Sequence, residues 1–157
     1  QQAVEPAAAA LARELPRLGE DKLPRALRIA EALHVTLPAG VLKAALSSAS
    51  MPVVIAGLRG VRTPETLAEV RMLLAHEDWQ VRVQAARALG RVGERGDAER
   101  LVTLLGDREW WVRYRAAEAL LELPALSRAD LEALRAGLTD RFAADMLSQA
   151  MAESAAV

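Results

Sequence analysis

Few residues in this chain could carry out a reaction. It has two histidines and no cysteine, which removes disulfides, thiolate metal sites and cysteine nucleophiles. His76-Glu77 is a His-Glu dyad, but a metal site built from such dyads needs several that converge, and the other histidine, His34, falls in a different part of the chain. There is no HExxH motif. Ser47, Ser48 and Ser50 lie in a predicted loop with no histidine nearby in sequence, and a serine nucleophile needs a base and an orienting group. Gly57-Leu58-Arg59-Gly60 lacks the Gly-Lys-Ser/Thr ending of a phosphate loop. Glu118 and Glu122 are one helical turn apart, the spacing of a solvated face. The expectation is therefore a chain without catalysis, metal or cofactor. Recognition chemistry remains: Trp111, Tyr114 and Arg115 are of the residue types enriched at interface hot spots.

The composition says what must position those side chains. The 157 residues suit one domain, and 52% are hydrophobic, enough for a sizeable core. There are 33 Ala and 25 Leu against 2 Ile, and aromatics are 3%. Strands favour β-branched and aromatic residues, whereas Ala, Leu, Arg and Glu favour helices; the chain is predicted to be all-α. Twenty basic residues against 21 acidic ones leave a net charge of −1, which offers a polyanion no general attraction and argues against nucleic acid as a partner. No apolar run approaches the ~18 residues of a membrane helix, so no membrane insertion is expected, and no secretory signal is visible. A start at Gln1 rather than Met fits a domain excised from a longer, bacterial and cytoplasmic polypeptide, whose anchor or targeting segment would lie outside this sequence. Gln1–Ala12 reads as an Ala-rich linker turning into a first helix near Ala7.

The chain repeats itself. At a shift of 31 residues, Leu73-Leu74, Trp79, Val81, Arg82, Ala85, Ala86, Ala88 and Leu89 meet identical residues at Leu104-Leu105, Trp110, Val112, Arg113, Ala116, Ala117, Ala119 and Leu120. A further shift sets Asp140 against Asp78, in a degenerate copy suited to a terminal cap. Each unit reads as two helices. Thr63-Pro64 opens the first helix of one unit, Asp78 caps its second, and Gly90 and Gly93 close it. Small residues at 85, 86, 88 and their partners let neighbouring helices approach closely. About five helix pairs are expected in one domain over 1–157: diverged repeats in 1–60, two clear repeats in 61–123 and a C-terminal cap in 124–157.

The run Asp78-Trp79-Gln80-Val81-Arg82, then Ala85-Ala86-Arg87-Ala88-Leu89-Gly90, resembles the HEAT-like repeat named after phycobilisome lyases. Glu109-Trp110-Trp111-Val112-Arg113 and Ala116-Ala117-Glu118-Ala119-Leu120 resemble it again, with Leu121 where the glycine would stand. The resemblance implies a right-handed α-solenoid and little about activity. It implies that Arg82 and Arg113 bond an acidic residue at the head of the same or a neighbouring second helix, for which Asp78 and Glu109 stand four residues before them. The repeated Trp79 and Trp110 are expected to pack between repeats. Projected by register, Gln80, Trp111 and Phe142 form one outward row; Val83, Tyr114 and Asp145, then Gln84, Arg115 and Met146, then Arg87, Glu118 and Gln149 follow. These rows should pave the concave face that solenoids use for binding. The function expected is a protein-interaction scaffold or adaptor that recognises its partner through Trp111, Tyr114, Arg115 and Phe142, extended by Gln84 and Arg87. The alternative is a lyase-like or tetrapyrrole-type small-molecule binder, which requires a closed pocket.

Overall fold

The structure, a computed structural model, describes residues 9–11, 13–19 and 21–156. The expectation placed on Gln1–Ala12 lies, for residues 1–8 and 12, outside them; residues 9–11 are helical. Every regular element among the described residues is a helix, so the chain is all-α. It divides into two compact units, Gln1–Val70 and Arg71–Val157.

The first unit contains α1 (Leu23–Ala32), α2 (Ala39–Leu46) and α3 (Met51–Arg59). Pro24 and Pro52 occupy the first turns of α1 and α3, where the missing N–H would have no partner in any case. Leu27, Ala30, Leu42, Ala45, Val53 and Leu58 bury one stripe per helix, at the spacing that puts them on a common face. α3 packs on both α1 and α2. A Cβ on Gly57 would sit 2.9 Å from the Cβ of Ala45, so the glycine sets the closeness of α2 and α3.

Thr63-Pro64 opens a 3-10 turn, Pro64–Thr66, rather than an α-helix capped by Thr63, whose side chain makes no cap bond. The turn runs into α4 (Leu67–Leu73). Thr66 is fully buried and its Oγ1 has no hydrogen-bond partner among the described residues. In the repeat register Thr66 corresponds to Asp97 and Gly40 to Arg71. Asp97 and Arg71 bond each other, so Thr66 occupies the place of a bridge this repeat has lost. An unpaired buried hydroxyl destabilises by ~1–3 kcal/mol. Thr66→Val, nearly isosteric, is expected to leave the melting temperature unchanged or raise it, as calorimetry would show.

The second unit contains α5 (Trp79–Val92), α6 (Ala98–Leu104), α7 (Trp110–Glu122), α8 (Arg128–Gly137) and α9 (Arg141–Ala155). Their starts follow local capping chemistry. The Asp78 carboxylate accepts from the Gln80 and Val81 amides, and the Asp140 carboxylate from those of Phe142 and Ala143. Ser127 and Asp130 form a reciprocal capping box at α8, satisfying donors the first turn leaves open. The second helices of successive repeats stack in a row, α5 on α7 and α7 on α9, while α6 packs on α7 and α8 on α9. Val81, Ala85, Ala88, Leu89, Val112, Ala116, Ala119 and Leu120 are buried along this row. Gly90 does not end α5. It lies inside the helix, buried against Ala119 of α7, and Gly93 is the C-cap.

Candidate functional site

Arginine–aspartate bridges hold the loops that launch the second-unit helices. Arg82 is almost wholly buried on α5. Its Nε and Nη2 donate to the two carboxylate oxygens of Asp107 at 2.9 and 3.1 Å, and its Nη1 donates to the carbonyls of His76 and Glu77, each at 2.9 Å. The spacing had favoured Asp78 as the partner. That carboxylate is occupied with the α5 amides, so the acid comes from the loop one repeat later. Asp107 is well placed because its Oδ1 also accepts from the Glu109 amide at 2.9 Å. Glu109 is the N-cap residue of α7 but makes no side-chain cap bond. Arg113 donates to the carbonyls of Asp107 and Arg108 at 2.7 and 3.4 Å and pairs with no carboxylate among the described residues. The reason is legible: the position equivalent to Asp107 in the next repeat is Leu138.

A second bridge joins Arg71 of α4 to Asp97, with Nε to Oδ1 at 2.8 Å and Nη2 to Oδ2 at 3.0 Å. Asp97 is 1% exposed and its Oδ2 also accepts from the Glu94 amide at 2.8 Å. Burial pushes the Asp97 carboxyl up, but the Arg71 hydrogen bonds, the Glu94 amide and the charges of Arg71 and Arg100 together hold it below the ordinary carboxylate value. A carboxyl depressed in the folded state adds stability above its unfolded pKa of ~3.9 and loses it as pH falls through the lower folded value. The melting temperature is therefore expected to drop as pH falls below that range. Asp97→Asn should flatten this part of the profile, and an unchanged acid limb would remove Asp97 from the explanation. Arg95 and Asp130 make a third, exposed bridge at 2.8 Å that likewise depresses the Asp130 carboxyl.

The aromatic residues gather on α7. The Trp110 and Tyr114 rings stack nearly parallel, at 8° with centroids 5.2 Å apart, as residues i and i+4 of one helix. Trp111 stands edge-on to both, at 4.8 Å from Trp110 and 6.2 Å from Tyr114. Both are favoured aromatic geometries. The Arg115 guanidinium lies over the Tyr114 ring at 5.6 Å and bonds Glu118 at 2.7 Å. The Tyr114 hydroxyl donates to Glu153 of α9 at 3.4 Å. Hydrogen bonding to Glu118 and its charge, then partial burial and Glu153, push the Tyr114 hydroxyl above its ordinary value.

Exposure sorts the residues singled out by the sequence. Trp111 is 50% exposed and Phe142, at the start of α9, is 79% exposed. Trp110 is 45% and Trp79 36% exposed, so each keeps a large part of its ring in solvent, and Trp110 packs on Tyr114 of its own helix. Arg87 is exposed and Gln84 half-buried on α5. The rings of Trp111 and Tyr114 are brought together with Arg115, whereas Phe142 makes no ring contact among the described residues. Two positions of the outward rows, Val83 and Met146, are buried. Trp110 and Glu153, to which recognition is not assigned from the sequence, join the cluster together with Glu118 of the outward rows. The i, i+4 spacing of Trp110 and Tyr114 was the signal for the first.

Elsewhere, an apolar groove of about 710 Å³ in the first unit is lined by residues including Leu15, Leu18, Val41, Ala44 and Val53. His76 uses Nδ1 to accept from the Asp78 amide at 3.0 Å. Among the described residues no group of three or more His, Asp or Glu is placed to hold a metal ion. No helix among them is long and apolar enough to cross a membrane.

No curated protein matches the sequence at a significant level. A family model described as HEAT repeats matches residues 53–121 and again residues 69–155. The matches cover the stacked pairs of the second unit and reach back to α3, more than half of the sequence. With paired helices, a 31-residue register and second helices stacked in a row, the chain belongs to the HEAT-repeat family.

Proposed function

We propose that this chain is a non-catalytic protein-interaction scaffold or adaptor that docks its partner on the outward face of its second helices. HEAT repeats generally mediate protein–protein interaction, and the finer reading concerns where. The observation that carries it is the solvent-exposed cluster of Trp110, Trp111 and Tyr114 on α7. Four of the five aromatic residues of the chain lie on α7 and α9, and large rings left half in water are costly unless something covers them. Trp111, Tyr114 and Arg115 form the centre, with Phe142, Gln84 and Arg87 around it on what this reading takes as the concave face. The rings already support one another and α7 is braced by the Arg82–Asp107 bridge, so binding would order little that is loose. The same reading groups the chain with the lyase-named HEAT-like repeats, on the strength of the Asp78-to-Gly90 run.

The test is capture from a native lysate with the whole chain as bait, beside Trp111→Ala/Tyr114→Ala. Interface hot spots contribute ~2 kcal/mol or more each, so affinity for a captured protein should fall at least about 30-fold. The variant should keep its helical circular dichroism. Equal capture by a folded variant would remove the ring cluster from the interface.

A further inference from the structure

We propose that the α7 ring cluster is built for a cationic segment of the protein partner, one that presents arginine or lysine side chains. This rests on the reading of the cluster as a docking surface and adds the chemistry of what docks. One carboxylate beside the rings has no cation partner among the described residues. Arg115 is matched by Glu118 at 2.7 Å. Arg113 also has no carboxylate among the described residues, but its Nη1 is turned to the carbonyls of Asp107 and Arg108, and Arg141 faces Asp145 at 3.9 Å. Glu153 has only neutral donors among the described residues, the Tyr114 hydroxyl at 3.4 Å and the Gln149 amide at 3.0 Å, and it pairs with no cation there. The surface is thus three exposed or half-exposed rings beside a carboxylate whose charge is unmatched.

The protein also shows how this surface holds a guanidinium. Arg115 sits over the face of Tyr114, at 5.6 Å, and bonds the Glu118 carboxylate. Trp110 and Trp111 offer larger exposed rings, and indole is the best cation–π acceptor among the side chains. Hydrogen bonding to Glu118 and its charge, with a smaller contribution from Glu153, raise the Tyr114 hydroxyl above its ordinary value. An incoming arginine or lysine would take on the rings the role Arg115 has on Tyr114, with Glu153 as its counter-charge. An acidic or neutral segment would leave the Glu153 carboxylate without a counter-charge.

The experiment titrates the full chain by tryptophan fluorescence with the capped peptide Gly-Arg-Gly-Arg-Gly, and with the same peptide carrying citrulline or glutamate in place of arginine. Citrulline keeps the shape and removes the charge. The arginine peptide should give a saturable change at millimolar concentration or below, about tenfold tighter than the citrulline peptide, and weakened by salt. Glu153→Gln keeps the rings and should weaken the arginine peptide roughly threefold, while leaving citrulline binding unchanged. Equal affinity for arginine and citrulline peptides, tighter binding of the glutamate peptide, or no saturable response to the arginine peptide would each overturn the cationic preference. The docking surface itself is decided separately. If the arginine peptide binds wild type and a folded Trp111→Ala/Tyr114→Ala variant equally, the ring surface is wrong; if ring variants lose a captured protein while citrulline binds as well as arginine, the surface stands and its charge preference falls.

Discussion

Replacing Arg82 by alanine is expected to lower the stability of the second unit by about 3–5 kcal/mol, the range for breaking a buried ion pair from one side. For a chain of this size that is a fall of about 10 °C in melting temperature. The size follows from what is left behind. Asp107 would be a largely buried carboxylate without its bidentate partner, the His76 carbonyl would lose its side-chain donor, and the Glu77 carbonyl would keep only the longer bond from Arg108. The loops before α5 and α7 would come loose together, because one guanidinium ties both. Arg82→Lys is expected to recover only part of the loss, since an ammonium cannot make the parallel pair of bonds and still reach two carbonyls. Thermal denaturation followed by circular dichroism measures all of this. Removing both ends, as Arg82→Met with Asp107→Leu, should cost less than Arg82→Ala alone, because no charge is then stranded. If Arg82→Ala melted within a degree or two of wild type, the bridge would be ornamental.

Gly90→Ala is the second large effect, and two opposing terms decide its sign. Alanine inside a helix is favoured over glycine by ~1 kcal/mol. Against this, the new Cβ would stand 2.9 Å from both Cα and Cβ of Ala119 and 3.1 Å from its carbonyl oxygen. Two of those atoms are backbone and cannot rotate away, so α5 and α7 must separate. Overpacking of a tight core contact costs ~1–3 kcal/mol, and all of Leu89, Ala116 and Leu120 lose packing as the pair opens. A net destabilisation of up to about 2 kcal/mol is expected from denaturant unfolding. Ala119→Gly in the same chain removes one of the crowding atoms and should recover part of it. A stabilised Gly90→Ala would mean that helix propensity outweighs the crossing. No glycine among the described residues has positive φ, so Gly90 is needed for space and not for backbone freedom.

The aromatic cluster and the bridges belong to one design. Arg82, Asp107 and Arg113 fix the turn from which α7 starts. Trp110, Trp111 and Tyr114 occupy the first five residues of that helix. A side chain on the first turn of a well-anchored helix is held more rigidly than one on a free loop, which is what a recognition surface needs. Loss of Arg82 should therefore weaken partner capture as well as stability, whereas loss of Trp111 and Tyr114 should affect capture alone.

Much of this was legible in the residues. The Ala- and Leu-rich composition, the 31-residue register and the caps at Asp78, Ser127 and Asp140 determine an all-α chain of stacked pairs, because they act through contacts within one helix or its first turn. The same locality determines that Val81, Ala85, Ala88 and Leu89 face inward, since helical spacing alone puts them on one side. Only the tertiary structure decided the partner of Arg82. Asp78 and Asp107 are equally acidic, and the choice depends on which loop arrives beside the guanidinium once α5 and α7 are stacked and on Asp78 already being used by the α5 amides. It also decided that Gly90 is a helix crossing, that Val83 and Met146 turn inward, and that Trp110 stacks on Tyr114 with much of its ring exposed. Those outcomes depend on how far each helix rotates against its neighbour, which close packing between helices sets and no single helix's periodicity records.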